Sequence, residues 1–235
     1  MTKTLLFDLD GTLIENSMDT FLPPYFKALT QKLGGLVDPQ KFIAQLKAST
    51  EVMMRNNDPQ RTNAQVFADD FFTRSGLARE QVMPLFDDFY AREYRDLRAF
   101  VTPIELSRKI VQHAFERKYT VAIATAPLFP RAAIEQRLQW GNLGDFAYAL
   151  ITDYETMHAS KPNPAYYREI ATRLQVDPGE CVMIGNEVPM DIIPARRVGM
   201  KTFWITSAGA MPTDVATDWR GTLTDLKRLL DNGAL

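Results

Sequence analysis

Apolar positions along this chain fall into two unlike patterns. In residues 4–9 (Thr-Leu-Leu-Phe-Asp-Leu), 120–125, 181–185 and 202–206 they form short continuous runs, with a weaker run over 148–152. Unbroken runs of this length suit strands covered on both faces, as in a parallel sheet. Between them, apolar residues recur at helical spacing and predict helices over 103–117, 130–140 and 164–174. Thr102-Pro103-Ile104-Glu105 reads as a capping box with proline in the first turn, and Asn163-Pro164 as a second helix start. Helix and strand therefore alternate from about residue 103 onward, the signature of an α/β, doubly wound parallel sheet.

The stretch 14–100 carries no convincing strand. Its spacing predicts helices around 20–33, 40–54, 64–75 and 79–98, and Pro23-Pro24 has to sit in a first turn or kink its helix. The expected organisation is an α/β core of residues 1–13 plus 101–235, interrupted by an α-helical domain over 14–100. Phe67, Phe71 and Phe72 are expected to build that domain's own core, and Trp204 to lie in the core of the sheet domain.

Composition adds mainly exclusions. The 235 residues carry 27 Lys+Arg against 29 Asp+Glu, and the inserted stretch balances eleven against twelve, so nothing supports a nucleic-acid-binding face. Cys181 is the single cysteine and lies in an apolar run, which points to a buried structural thiol and away from a disulfide framework. The apolar stretch Leu5-Leu6-Phe7 is too short for a signal peptide or membrane span, and the expectation is a cytoplasmic protein. No feature of the sequence specifies an oligomer.

The densest chemistry is Asp8-Leu9-Asp10-Gly11-Thr12. Alternation along an extended segment puts Asp8 and Asp10 on the same side, at the strand end where open α/β sheets place ligands. Two carboxylates held together repel each other unless a cation or a shared proton relieves them, and oxygen ligands alone suit a hard divalent ion. His113 and His158 have no zinc-ligand spacing and read as ordinary residues. Glu15 and Asn16, just after the two aspartates, read equally well as substrate-facing residues and as solvated turn residues.

Three further features follow in order: Thr125 at the end of an apolar strand, Lys161 in Ser-Lys-Pro-Asn-Pro, and Gly185-Asn186-Glu187-Val188-Pro189-Met190-Asp191. With Asp8-x-Asp10-Gly-Thr, this series resembles the haloacid dehalogenase-like hydrolase superfamily, specifically its phosphatases with a helical cap inserted after the first motif. The resemblance implies a Rossmann-like core and a Mg²⁺ cofactor. It implies Asp8 as nucleophile and Asp10 as general acid and base, with Lys161 steadying the charge. Thr125, the Ala126 backbone and Lys161 would hold the phosphoryl group, and Asp8, Asp10, Glu187 and Asp191 the metal. Relatives usually carry Asp where Glu187 stands, and an alternative alignment makes Asn186 the ligand; relatives often carry Asn where Ala126 stands. The implied activity is hydrolysis of a small phosphorylated metabolite. Phosphomutase, 2-haloacid dehalogenase and a non-catalytic binding module are the other readings, and the presence of Asp10 weighs against the dehalogenase.

Overall fold

The computed structural model describes residues 4–207 and 214–235; positions 1–3 and 208–213, which the expected core segments include, lie outside the described residues. Among the described residues eight strands follow in chain order as β1 (Thr4–Phe7), β2 (Ile14–Glu15), β3 (Thr102–Pro103), β4 (Thr120–Ile123), β5 (Leu150–Ile151), β6 (Cys181–Gly185), β7 (Lys201–Ile205) and β8 (Trp219–Gly221). Six of them form an all-parallel sheet in the order β5-β4-β1-β6-β7-β8. The order reverses around β1, whose Phe7 pairs with Ile123 on one side and Ile184 on the other. The C-terminal ends of β1, β4 and β6 therefore finish level at the switch point, where such sheets open a crevice.

Both faces of the sheet are covered, which is why its strands read as unbroken apolar runs. Leu5, Phe7, Val121, Ile123, Val182 and Ile184 join one buried cluster, whereas Leu6, Ala122, Ala124, Cys181 and Met183 join another. Alternation along each strand divides its residues between the two layers. Burial pushes the Cys181 thiol up to about 12, in keeping with an inert core residue.

Between β2 and β3 lie four helices: α1 (Met18–Leu33), α2 (Pro39–Met54), α3 (Asn63–Ser75) and α4 (Arg79–Ala91), followed by a 3-10 segment, Glu93–Phe100. The single helix expected over 79–98 is thus broken at Arg92, and the 3-10 segment buries Tyr94 and Leu97 on its way back to the core. Pro23 and Pro24 sit inside α1, beyond its first turn. Phe71 is the centre of the cap's aromatic core, against Phe67, Phe72, Phe42 and Phe86.

The expected capping box at Thr102 does not form. Thr102 and Pro103 pair antiparallel with Glu15 and Ile14, and the helix that follows, α5 (Glu105–Glu116), has no side-chain cap. Pairing across the neck of the insertion outcompetes the local cap, and proline is tolerated because the strand is a two-residue edge. Capping boxes occur instead at Thr62–Gln65 on α3 and at Thr222–Asp225, which opens the last helix. After α5 come α6 (Arg131–Trp140), α7 (Pro164–Leu174), α8 (Ile193–Arg197) and α9 (Leu223–Asp231). Asn163 caps α7 through the Ala165 N–H. No described helix is long and apolar enough to cross a membrane.

The cap is tied to the core on two sides. On one, Tyr25 packs on Phe129, Tyr94 stacks on Trp140, and Gln136 Nε2 donates to the Tyr90 carbonyl at 2.7 Å. On the other, the α2–α3 end grips the 154–159 loop. Asn63 donates from its backbone to Met157 at 2.8 Å and from Nδ2 to Ala159 at 3.1 Å, while Asn56 Nδ2 reaches His158 O at 2.9 Å. Asn63 is completely buried, so Asn63→Ala leaves the Ala159 carbonyl without that donor. The expected cost is about 1–3 kcal/mol, read as a lowered urea midpoint with an unchanged m-value.

Candidate active site

Asp8, Asp10, Thr125, Ala126, Lys161, Glu187 and Asp191 all line one cavity of about 100 Å³ at the strand ends. Asp8 extends β1, its N–H donating to Ile184 O at 2.9 Å. Thr125 follows β4, and its carbonyl accepts from Tyr166 OH at 2.8 Å and Thr152 Oγ1 at 2.7 Å. With the backbone pinned from behind, the Thr125 hydroxyl has no protein partner among the described residues and borders the cavity.

Lys161 is buried, with Nζ 2.8 Å from Asp8 Oδ1 and 2.6 Å from Asp191 Oδ1. Burial works against its charge, but Asp191 and Asp8 outweigh that and hold the ammonium well above the usual lysine range. Burial likewise raises Asp191, with Lys161 pulling it back. The site thus sets two buried carboxylates against one ammonium.

Asp191 stands in a π-helical turn, Val188–Ile192, where its Oδ2 accepts from the Glu187 N–H at 3.0 Å. Its carboxylate lies directly over Gly185: a Cβ there would sit 2.2 Å from Asp191 Oδ2, so only glycine permits this approach. Glu187 contributes its backbone to this arrangement while its side chain is exposed at the cavity mouth. Asn186 is committed elsewhere. Its Oδ1 accepts from Thr12 Oγ1 at 3.0 Å, its carbonyl from Trp204 Nε1 at 3.0 Å, and it faces an outer groove together with Glu15. Trp204 is accordingly half-buried at that groove rather than a core residue.

Asn16 and Glu15 part ways: Asn16 Nδ2 donates to Asp10 Oδ1 at 2.6 Å. The other oxygen of Asp10 is held by a residue that the sequence reading passed over, Arg137 of α6, at 2.5 Å. Burial raises the Asp10 carboxyl above its ordinary value although Arg137 and Asn16 both favour its charged form. The signal for Arg137 was present in the sequence. It occupies the helical stripe of Ala133, Ile134 and Leu138, where a charge has to find a buried partner.

Above these polar groups the wall is apolar: Met18 from the cap, with Leu128, Phe129 and Met190. The cap phenylalanines do not border the cavity; Met18 is the cap residue that does. His113 and His158 lie apart, the first near Glu116 and Asp231, the second paired with Glu169.

A family model for haloacid dehalogenase-like hydrolases matches residues 2–199. The chain belongs to that family. Among sequences similar to this hydrolase, a pyrophosphatase PpaX of Anoxybacillus flavithermus is 26% identical over 200 residues, covering 85% of this chain and 81% of its own. A glyceraldehyde 3-phosphate phosphatase of Pyrococcus furiosus is 36% identical over 59 residues, about a quarter of each chain (25% and 24%). The solved structure of a 2-haloacid dehalogenase from Pseudomonas syringae pv. Tomato superposes over 100% of both chains, with a TM-score of 0.63 and 20% identity. That likeness establishes the fold of the hydrolase and leaves its reaction to the site itself.

Proposed function

We propose that this hydrolase cleaves small phosphate monoesters with Mg²⁺, through a phosphoryl group carried on Asp8. The observation that carries the reading is the buried Asp8–Lys161–Asp191 arrangement, with Asp10 bordering the same cavity. A free Asp8 oxygen would bond to phosphorus as the bond from phosphorus to the ester oxygen breaks. Asp10 would deliver a proton to that departing oxygen. In the second half, water would attack phosphorus, pass its proton to Asp10 and free the Asp8 carboxylate. Thr125 Oγ1 and the backbone N–H after it would donate to the phosphoryl oxygens, and Lys161 would offset their charge.

The donor set fits magnesium. Mg²⁺ is commonly held by one or two carboxylates together with water and substrate phosphate, and here Asp8 and Asp191 exceed the charge of Lys161 by one. Of the four residues expected to hold the ion, Asp8 and Asp191 would do so, whereas both oxygens of Asp10 are engaged by Arg137 and Asn16 and Glu187 stands at the cavity mouth; bound Mg²⁺ would supply charge neutralisation for the phosphoryl oxygens.

Substrate size follows from the cavity. About 100 Å³ lies well below the range of roughly 300–1,000 Å³ that serves drug-sized ligands. The wall above the carboxylates is mostly apolar, from Met18, Leu128, Phe129 and Met190, with Arg137 beside them. A panel of phosphate esters, assayed with and without Mg²⁺ beside 2-chloropropionate, tests the proposal. The expected result is Mg²⁺-dependent phosphate release that favours small esters. Metal-independent chloride release without phosphate release would establish the dehalogenase reading in its place.

A further inference from the structure

Arg137 is among the largest fully buried side chains of the hydrolase, at 1% exposure, yet its hydrogen bonding is sparse. Nη1 donates to Asp10 Oδ2 at 2.5 Å, Nε is buried without a partner, and among the described residues no other protein group accepts from the guanidinium. A guanidinium offers five donors, and a buried one kept for stability alone would be expected to use more of them. What it does have is orientation. Its guanidinium carbon sits 4.7 Å from the centre of the Phe129 ring, and α6 carries it to the cavity edge, where it borders the same space as Asp8.

Asp10 is held from both ends: Arg137 on Oδ2, Asn16 Nδ2 on Oδ1 at 2.6 Å. Rotation of an aspartate carboxylate about its last torsion is only weakly restricted by its own geometry. Two fixed donors set that plane. They also make the oxygens unequal. Arg137 can only donate, so Oδ2 stays committed to it. Asn16 carries a donor and an acceptor on one amide, and its own Oδ1 is buried without a partner. The Asn16 amide can therefore stay on Asp10 Oδ1 whether or not that oxygen carries the proton in transit.

We infer that Arg137, with Asn16, is a positioning residue that orients the Asp10 carboxylate for proton transfer to the departing ester oxygen. The inference rests on the phosphatase reading above. It predicts a dependence on leaving group that a purely structural arginine would not show. An aryl oxygen such as that of p-nitrophenyl phosphate departs as a stable anion, whereas an alkyl oxygen needs the proton, and general acid assistance is worth on the order of 10²-fold or more.

The test is kcat and KM for wild type, Arg137→Met, Arg137→Lys and Asn16→Ala on esters running from p-nitrophenyl phosphate to small alkyl phosphates at saturating Mg²⁺. For Arg137→Met, kcat should fall by about 10²-fold on alkyl esters and only a few-fold on p-nitrophenyl phosphate, with KM changed less than about threefold throughout. Arg137→Lys should recover part of the alkyl-ester loss, and Asn16→Ala should show the same selectivity to a lesser extent. An equal fall across the whole series would overturn the inference and leave the phosphatase reading intact. So would a rise in KM confined to esters with an anionic leaving group, which would make Arg137 a substrate-binding residue. Absence of turnover by wild type on every ester would overturn both.

Discussion

Asp8→Asn is expected to lower phosphate release by about 10⁴-fold or more while the protein folds with its parent's stability to within about 1–2 kcal/mol. The amide oxygen can still accept from Lys161 and the backbone bond to Ile184 is untouched, so the loss belongs to the nucleophile rather than to the scaffold. An amide cannot attack phosphorus in the carboxylate's place, and the proposed Mg²⁺ site would lose a charge at the same stroke. Rapid acid quench with a radiolabelled ester checks the prediction directly. The parent should give a burst of protein-bound label and the variant none. Turnover retained by Asp8→Asn would eliminate the covalent route.

Lys161→Met has the other large effect, and part of it is structural. The variant leaves Asp8 and Asp191 facing each other in a buried site with no cation between them. Removing one partner from such a buried arrangement costs about 3–5 kcal/mol. Loss of charge stabilisation should also lower kcat by on the order of 10²–10³-fold. The distinguishing expectation concerns magnesium: if Asp8 and Asp191 hold the ion, Mg²⁺ should raise the melting temperature of Lys161→Met by more than it raises that of the parent. An equal shift in both proteins would mean that the ion binds elsewhere.

Much of this site is legible in the sequence because its parts sit at the ends of strongly apolar strands. Leu5-Leu6-Phe7 delivers Asp8, Val121-Ala122-Ile123-Ala124 delivers Thr125, and Cys181–Gly185 leads to Asp191; level strand ends then gather these residues around Lys161. What stays hidden depends on contacts made far along the chain. Arg137 is 127 positions from Asp10, and only the packing of α6 beneath the returning cap segment brings them together. The local signal at Thr102 was misleading for a related reason: a cap competes with strand pairing across the insertion's neck, whose partner lies nearly ninety residues earlier. Glu187 falls between these cases. Its place beside Asp191 is legible, but the turn uses its backbone and leaves the carboxylate at the rim.

The neck itself has a consequence for descent. Ile14 pairs with Pro103 and Glu15 with Thr102, so the chain leaves the sheet domain and re-enters it at adjacent positions. A tight turn from Glu15 to Thr102, or another insert of any length between them, would keep the sheet that supports Asp8, Thr125 and Asp191 in register. Asp8, Thr125, Lys161 and Asp191 would thus pass on together with the sheet, whereas Asn16 and Met18 travel with the insert, so an exchanged insert has to bring its own contact to Asp10.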